Sequence, residues 1–284
     1  MDLNNFISPV TGNILVEKNS VLESLPDEQY KIINSIPRFV PNKSFASAFG
    51  LQWKTYSKVQ LDSLNKTTIS EDRVKIAIGR PLESIKGLKI IEAGSGAGRF
   101  TEILLKYGAT VYSFDLSEAV DVNFENNSPH PNLTIFQADI EKIPFKDNFF
   151  DIALCLGVIQ HTRNSIVSLQ EISRVTKNEG LITFDHYQTH LGQYLSLYLV
   201  YWFLIKQFPL RAQIIITESL TKIFFPIHWF FKDYPLIQFL LRRISPISFY
   251  YGMFDLTKDQ HYEASRLDTH DKNTDHFKRM LTPR

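Results

Sequence analysis

Short apolar runs alternate with stretches in which apolar residues recur every three or four positions between residues 87 and 187. The runs 88–92, 110–114 (TVYSF), 133–136 (LTIF), 151–156 (DIALCL) and 181–185 (LITFD) predict strands. The periodic stretches 98–107, 117–126 and 164–177 predict the helices between them. Gly108 and Gly180 stand where a helix gives way to a strand, the place of a left-handed cap. Apolar strands separated by helices predict a parallel sheet covered on both faces. Right-handed crossovers then gather the strand C-terminal ends on one edge, where ligands bind.

The flanks read differently. Residues 1–48 are short segments broken by Pro9, Gly12, Pro26, Pro37 and Pro41, which predicts a small β-rich module with tight turns. Residues 49–86 predict helices, with Ser70 capping EDRVKIAIG and Gly79-Arg80-Pro81 ending it. Residues 188–250 are dense in aromatics with scattered cations, and 251–284 form a polar tail. No uninterrupted apolar run in 188–250 reaches the roughly 18–20 residues of a membrane span. The expectation there is a helical insertion packed over the ligand edge. A lid for a greasy substrate or an interfacial surface is the sharper alternative, and membrane association is the less expected outcome.

Composition narrows the class. The 284 residues are 44% hydrophobic and 21% charged with a formal net charge of +1, enough for one sizeable core and no field that would favour nucleic acid. Cys155, the single cysteine, lies in an apolar run and excludes an internal disulfide. The N-terminus MDLNNFISPV has no basic segment followed by an apolar run, and the expected location is the cytoplasm.

Chemistry concentrates in IIEAGSGAGRF, residues 90–100. A strand, a glycine turn and a helix let backbone approach a ligand closely. Gly94-x-Gly96-x-Gly98 is one residue short of the dinucleotide pattern, and no Lys-Ser/Thr follows to make a phosphate loop. Glu92, two residues ahead of the turn, would repel a phosphate and favour an ammonium or sulfonium.

EAGSGAGRF resembles the first motif of class I S-adenosylmethionine (SAM)-dependent methyltransferases, and the motifs downstream of it come in that family's order. Asp115, at the end of the second strand, matches the acid that grips ribose hydroxyls. Asp139 in QADIEKIPF matches the acceptor of the adenine amino group, with Ile140 packed on the ring. FFDIALCLGVIQHT (149–162) and EISRVTKNEGLITFDHY (171–187) resemble the fourth strand with its loop and the fifth helix–turn–strand. Lys177-Asn178-Glu179-Gly180 replaces the usual Lys-Pro-Gly-Gly turn. The match spans about 140 residues. YKIINSIPRFVP (30–41) and FGLQWKTYSKVQLDS (49–63) are similar to a bacterial group that carries an N-terminal zinc-ribbon-like module. Here SPVT (8–11) stands where that group has a Cys-x-x-Cys pair, and no metal is expected.

The resemblance implies a Rossmann-like, doubly wound α/β sheet in the order 3-2-1-4-5, closed in a complete sheet by a C-terminal hairpin. Nothing in 188–284 alternates as that hairpin would, and the best remaining candidate, QIIIT (213–217), is short and followed by helical spacing, so five strands are expected. Those helices, or a partner subunit in a homo-oligomer, are expected to cover the open edge. The domains implied are 1–48, a degenerate ribbon-like module; 49–187, the SAM-binding core; 188–250, the insertion; and 251–284, the tail. SAM is the expected cofactor, and the methyl acceptor a small or lipid-like molecule.

The candidate cofactor contacts are Glu92, Gly94, Ser95, Gly96, Gly98, Arg99, Asp115, Leu116, Asp139, Ile140 and Leu156, with Trp53 and Tyr56 folding over from upstream. Trp53 is equally a core anchor, and Arg99 and Arg73 are either partners of the methionine carboxylate or surface residues. A general base is required only for a hydroxyl or acidic-carbon acceptor. His161, His186 and Tyr187 are its candidates, with His190 a little further on, and His161 is also suited to ordering a neighbouring loop. Two other functions remain open on sequence alone: a SAM-fold binding or regulatory subunit without catalysis, and a nicotinamide-dependent oxidoreductase, against which Glu92 counts.

Overall fold

The computed structural model describes residues 3, 5–24, 28–40, 47–186, 196–250 and 256–274. They form two compact units that divide between His186 and Tyr187.

The first unit is built on five parallel strands: β5 (Lys89–Ala93), β6 (Thr110–Asp115), β7 (Leu133–Gln137), β8 (Phe150–Cys155) and β9 (Thr176–Phe184). Their spatial order β7-β6-β5-β8-β9 is 3-2-1-4-5 in core numbering, as the sequence predicts. No strand follows β9 among the described residues. Helices α4 (Arg99–Lys106), α5 (Ala119–Asn127) and α6 (Ser165–Val175) are the crossovers, preceded by α1 (Ser47–Thr55), α2 (Asp62–Asn65) and α3 (Ile69–Ile78). One face of the sheet packs Ile90, Val111, Ile135 and Ile152 against Ile78, Ile103 and Leu104; the other packs Ile91, Tyr112, Phe136 and Ala153 against Phe145 and Ile172.

Upstream, β1 (Val16–Lys18), β2 (Val21–Ser24), β3 (Glu28–Ile33) and β4 (Ile36–Pro37) make an antiparallel meander. Its tight turns are Asn19-Ser20 and Asn34-Ser35, all four with positive φ, as two-residue hairpins require. Phe6, Leu15, Leu22 and Phe39 join the same core cluster as Phe136 and Phe145. Phe39 donates its backbone N–H to the Gln137 carbonyl at 2.8 Å, and Arg38 pairs with Gln137 in parallel, so the meander covers the β7 edge.

Two local expectations are corrected. Gly180 is not a left-handed cap: α6 ends at Val175 and β9 begins at Thr176, with Gly180 inside the strand. A Cβ there would stand 2.9 Å from the Asp151 carbonyl, so the glycine serves a close strand approach beside a register shift. Ser70 does not cap α3, because its hydroxyl donates to the Gln60 carbonyl; the buried Asp62 carboxylate accepts from the Glu71 N–H at 2.9 Å instead. QIIIT lies within a helix, in keeping with five strands.

The second unit consists of α7 (Tyr198–Ile205), α8 (Leu210–Phe230), α9 (Pro235–Ile244) and α10 (Lys258–Thr274). α10 packs on both α7 and α8. Its apolar centre is small, Phe225, Ile247 and Phe249, with Trp229 and Tyr262 against it.

Candidate functional site

The glycine turn leaves β5 at its C-terminal end and enters α4. Gly94, Gly96 and Gly98 all have positive φ. At Gly98 an added Cβ would stand 2.2 Å from Asn123 Oδ1, and at Gly96 it would stand 2.7 Å from the Trp53 indole. Both positions thus combine a left-handed backbone with a close neighbour, which only glycine tolerates. Gly94 faces the Val158 side chain, so the loop after β8 borders the turn.

Helix α5 clamps this turn from beneath. Asn127 Nδ2 donates to the Gly98 carbonyl at 3.1 Å, and Asn126 Nδ2 donates to the Ala97 and Ser57 carbonyls, each at 2.9 Å. Asn123 Nδ2 donates to Thr101 Oγ1 at 3.0 Å and Ser113 Oγ at 2.9 Å. Those two hydroxyls in turn donate to one oxygen of Glu92, Ser113 at 2.9 Å.

Glu92 is sealed, 1% exposed, and its Oε1 has no protein partner. Burial pushes its carboxyl up to about 7, against the opposing hydrogen bonds from Thr101 and Ser113. Ser95 Oγ is likewise buried with no protein partner. Asp115 lies at the end of β6, where its Oδ2 accepts from the Gly96 N–H at 3.0 Å. Its Oδ1 accepts from the Ser117 N–H at 2.8 Å and the Ser117 hydroxyl at 2.7 Å. Burial raises its pKa above the ordinary carboxylate value. Three donors leave a carboxylate capacity for a further one.

Helix α1 lies over this floor. Gly50 packs on Ser117 and Glu118, and the half-buried Trp53 covers Gly96. Tyr56, 1% exposed, is sunk beneath. Asp139 follows β7, bonded to the Glu141 N–H at 3.0 Å and paired with Arg163 at 3.5 Å. Ile140 is part of the sheet's core cluster. Leu116 is half-buried, with its carbonyl accepting from Gln137 at 2.9 Å, and Leu156 is buried at the end of β8. Arg99 and Arg73 both lie over the Phe100 ring, at 4.4 and 5.5 Å, and Arg73 also pairs with Asp185.

The candidate bases divide. His161 closes the short 3-10 turn Ile159–His161, half-buried with its ring edge-to-face on Phe49 at 5.4 Å. His186 is half-buried just past β9. Tyr187 and His190 lie outside the described residues. Two residues at this edge, Gln160 and Asp185, are not among the sequence-derived site candidates. Gln160, 2% exposed, has neither amide atom bonded to protein, two positions beyond Val158. Asp185 accepts the Gly157 N–H and pairs with Arg73, joining the ends of β8 and β9 to α3. Both signals depend on contacts made in three dimensions.

These residues suit a ligand that approaches the backbone closely and brings donors to buried acceptors. The sealed Oε1 of Glu92 and Oγ of Ser95 have no protein partner, Asp115 ends β6, Asp139 follows β7, and the turn admits backbone-close approach. Comparison with known proteins agrees. Residues 91–184 match the family described as the methyltransferase domain. Over 147 residues the chain is 28% identical to a malonyl-[acyl-carrier protein] O-methyltransferase of Buchnera aphidicola, covering 51% of this chain and 55% of that one. It is 26% identical over 129 residues to a ubiquinone biosynthesis O-methyltransferase of Methylococcus capsulatus, covering 44% and 54%. The chain thus spans about half the length of the curated relatives it matches. Magnesium protoporphyrin IX methyltransferase from Synechocystis, solved with bound SAH, aligns with a TM-score of 0.40 at 18% identity, covering 52% of this chain and 71% of that one. The core of the first unit is a class I methyltransferase domain. The cofactor of that class is SAM.

Proposed function

We propose that this chain transfers a methyl group from SAM to a small or lipid-like acceptor. The observation that carries the reading is the glycine turn under Trp53, with unpartnered buried oxygens on Glu92 and Ser95 and an acid, Asp115, at its side. In this reading Asp115 holds the ribose, Asp139 the adenine amino group, and Glu92 the charge of the methionine part. Trp53, beside a sulfonium, adds about 0.5–2 kcal/mol of cation–π attraction. The names of the relatives, which act on malonyl-acyl-carrier protein or in ubiquinone biosynthesis, support the acceptor class.

When bound, SAM supplies a methyl group on an already activated sulfonium leaving group. The chain's own part is alignment and exclusion of water, which accounts for roughly 7–11 kcal/mol in well-oriented reactions. The Val158 loop presses on the turn, Gln160 offers a donor and an acceptor at the same edge, and α1 closes the top. In this reading His161 takes a proton from a hydroxyl acceptor. Titration with SAM tests the site, and transfer of labelled methyl to quinol, acyl-carrier and lipid acceptors tests the reaction. SAM binding without transfer to any acceptor would favour a binding subunit; NADH binding in place of SAM would overturn the reading.

A further inference from the structure

The second unit is inside-out for a surface in water. α8 buries Gln213, Thr217, Thr221 and His228 and exposes Ile215, Ile223, Ile227 and Phe230. At 3.6 residues per turn these are opposite stripes of one helix. α9 repeats the inversion: Gln238 is 1% exposed, whereas Leu236 is 82% exposed, with Phe239, Leu240 and Ile244 on the same stripe. α7 exposes Leu199, Val200, Phe203 and Leu204.

The buried polar groups have partners within the unit. Thr217 Oγ1 meets His270 Nδ1 at 3.2 Å, and Gln238 meets His228 Nδ1 at 2.9 Å while donating to the His228 carbonyl at 2.7 Å. The polar helix α10 lies against the inner side of α7 and α8. The apolar stripes face away from it. In water such a face is costly, and contiguous patches of this kind mark an interaction surface.

Its charges say which surface. Residues 197–244 carry six cations, Lys206, Arg211, Lys222, Lys232, Arg242 and Arg243, and two acids. Both acids are engaged, Glu218 by Arg266 and Asp233 by Lys232. Arg211, Lys222 and Arg242 are exposed beside the apolar stripes. The guanidinium of Arg243 lies 3.5 Å from the centre of the Phe239 ring, and the Lys206 ammonium 4.3 Å from that of Trp202. Exposed cations interleaved with aromatic and aliphatic stripes suit an interface of acyl chains and phosphates. Among the described residues no helix is long and apolar enough to cross a membrane.

We propose that the second unit seats on the surface of an anionic lipid bilayer. α7 and the outer stripes of α8 and α9 enter the acyl boundary, and Arg211, Lys222 and Arg242 meet the phosphates. This inference stands independently of the methyl-transfer reading. It is tested by sedimenting the full chain with phosphatidylglycerol–phosphatidylcholine vesicles and with pure phosphatidylcholine vesicles. Partition onto the anionic vesicles is expected, weakening with salt. The paired variant Lys222→Glu, Arg242→Glu is expected to lower partition roughly tenfold or more. Phe203→Glu with Leu240→Glu is expected to abolish it at unchanged circular dichroism. Equal partition onto both vesicle types, or onto neither, overturns the proposal. So does a dimer that the apolar variant disperses, which would give the face to a second copy. A loss of SAM affinity in the charge-reversed variant would give it to the first unit, and overturns the proposal equally.

Discussion

Glu92 sits under the glycine turn with a carboxyl pushed up to about 7 by burial, so near neutral pH it is partly protonated. A cation brought against its unpartnered Oε1 favours the charged form. Binding of SAM is therefore expected to release a proton near neutral pH, with affinity rising between roughly pH 6 and pH 8. Calorimetry in buffers of different ionisation enthalpy measures that proton, and Glu92→Gln should abolish it. Release of equal size in the variant would remove Glu92 from the reading. Asp115→Ala should weaken SAM by about 1.5–3 kcal/mol, the range for a hydrogen bond to a charged group. Unchanged affinity would sink the ribose assignment. At this scale the sequence makes the residue types and their spacing legible, but not where they point. Glu92 turns inward because Thr101 and Ser113, nine and 21 residues away, offer it hydroxyls. In the string Gln160 is only the neighbour of His161; that its amide is buried without a protein partner is seen in the fold alone.

Elements are held to one another by a few polar ties across apolar seams. Arg38 is the clearest: it is 9% exposed, donates to Gln137 Oε1 at 3.2 Å and pairs with Asp121 at 2.6 Å, so it joins the meander to β7 and α5 together. Arg38→Ala should destabilise the first unit by about 2–3 kcal/mol, less than a fully buried pair because Asp121 keeps some contact with water. Urea unfolding checks this, and a change within error would mean that the aromatic cluster around Phe6 and Phe136 alone holds the meander. The five core strands and their order are legible because each is a short apolar run, and β5, β6 and β8 are each followed by a periodic helical stretch. Gly180 misleads because a glycine after a helix has two explanations, a cap or a close strand, and the Asp151 carbonyl that decides is remote in sequence. The meander's turns hide for a similar reason. Asn19-Ser20 and Asn34-Ser35 make them, while the prolines and Gly12 draw the eye.

For the molecule as a whole, the two units carry buried titratable groups of opposite sense. In the first, Glu92 and Asp115 are raised by burial. A raised acid contributes stability that is present below its unfolded value and lost as pH rises through the folded one, for Glu92 from 4.5 to about 7. In the second, burial lowers His228 and His261 and pushes His270 down to about 4. A lowered histidine contributes stability that is present above its unfolded value, 6.5, and lost as pH falls through the folded one. For Glu92 and for His270 the full swing approaches about 3 kcal/mol. Acidification from roughly pH 7 to pH 5 should therefore strengthen the first unit and weaken the second. Trp202 and Trp229 lie in the second unit and Trp53 in the first, so urea unfolding of Trp53→Phe, followed by tryptophan fluorescence, reports the second alone. Its midpoint should fall on acidification, while the first unit without SAM, followed by the fluorescence of Trp53 in the Trp202→Phe, Trp229→Phe variant, should not weaken. A common transition with the same midpoint at both pH values would show that the units unfold as one and that these buried groups do not govern their response to pH.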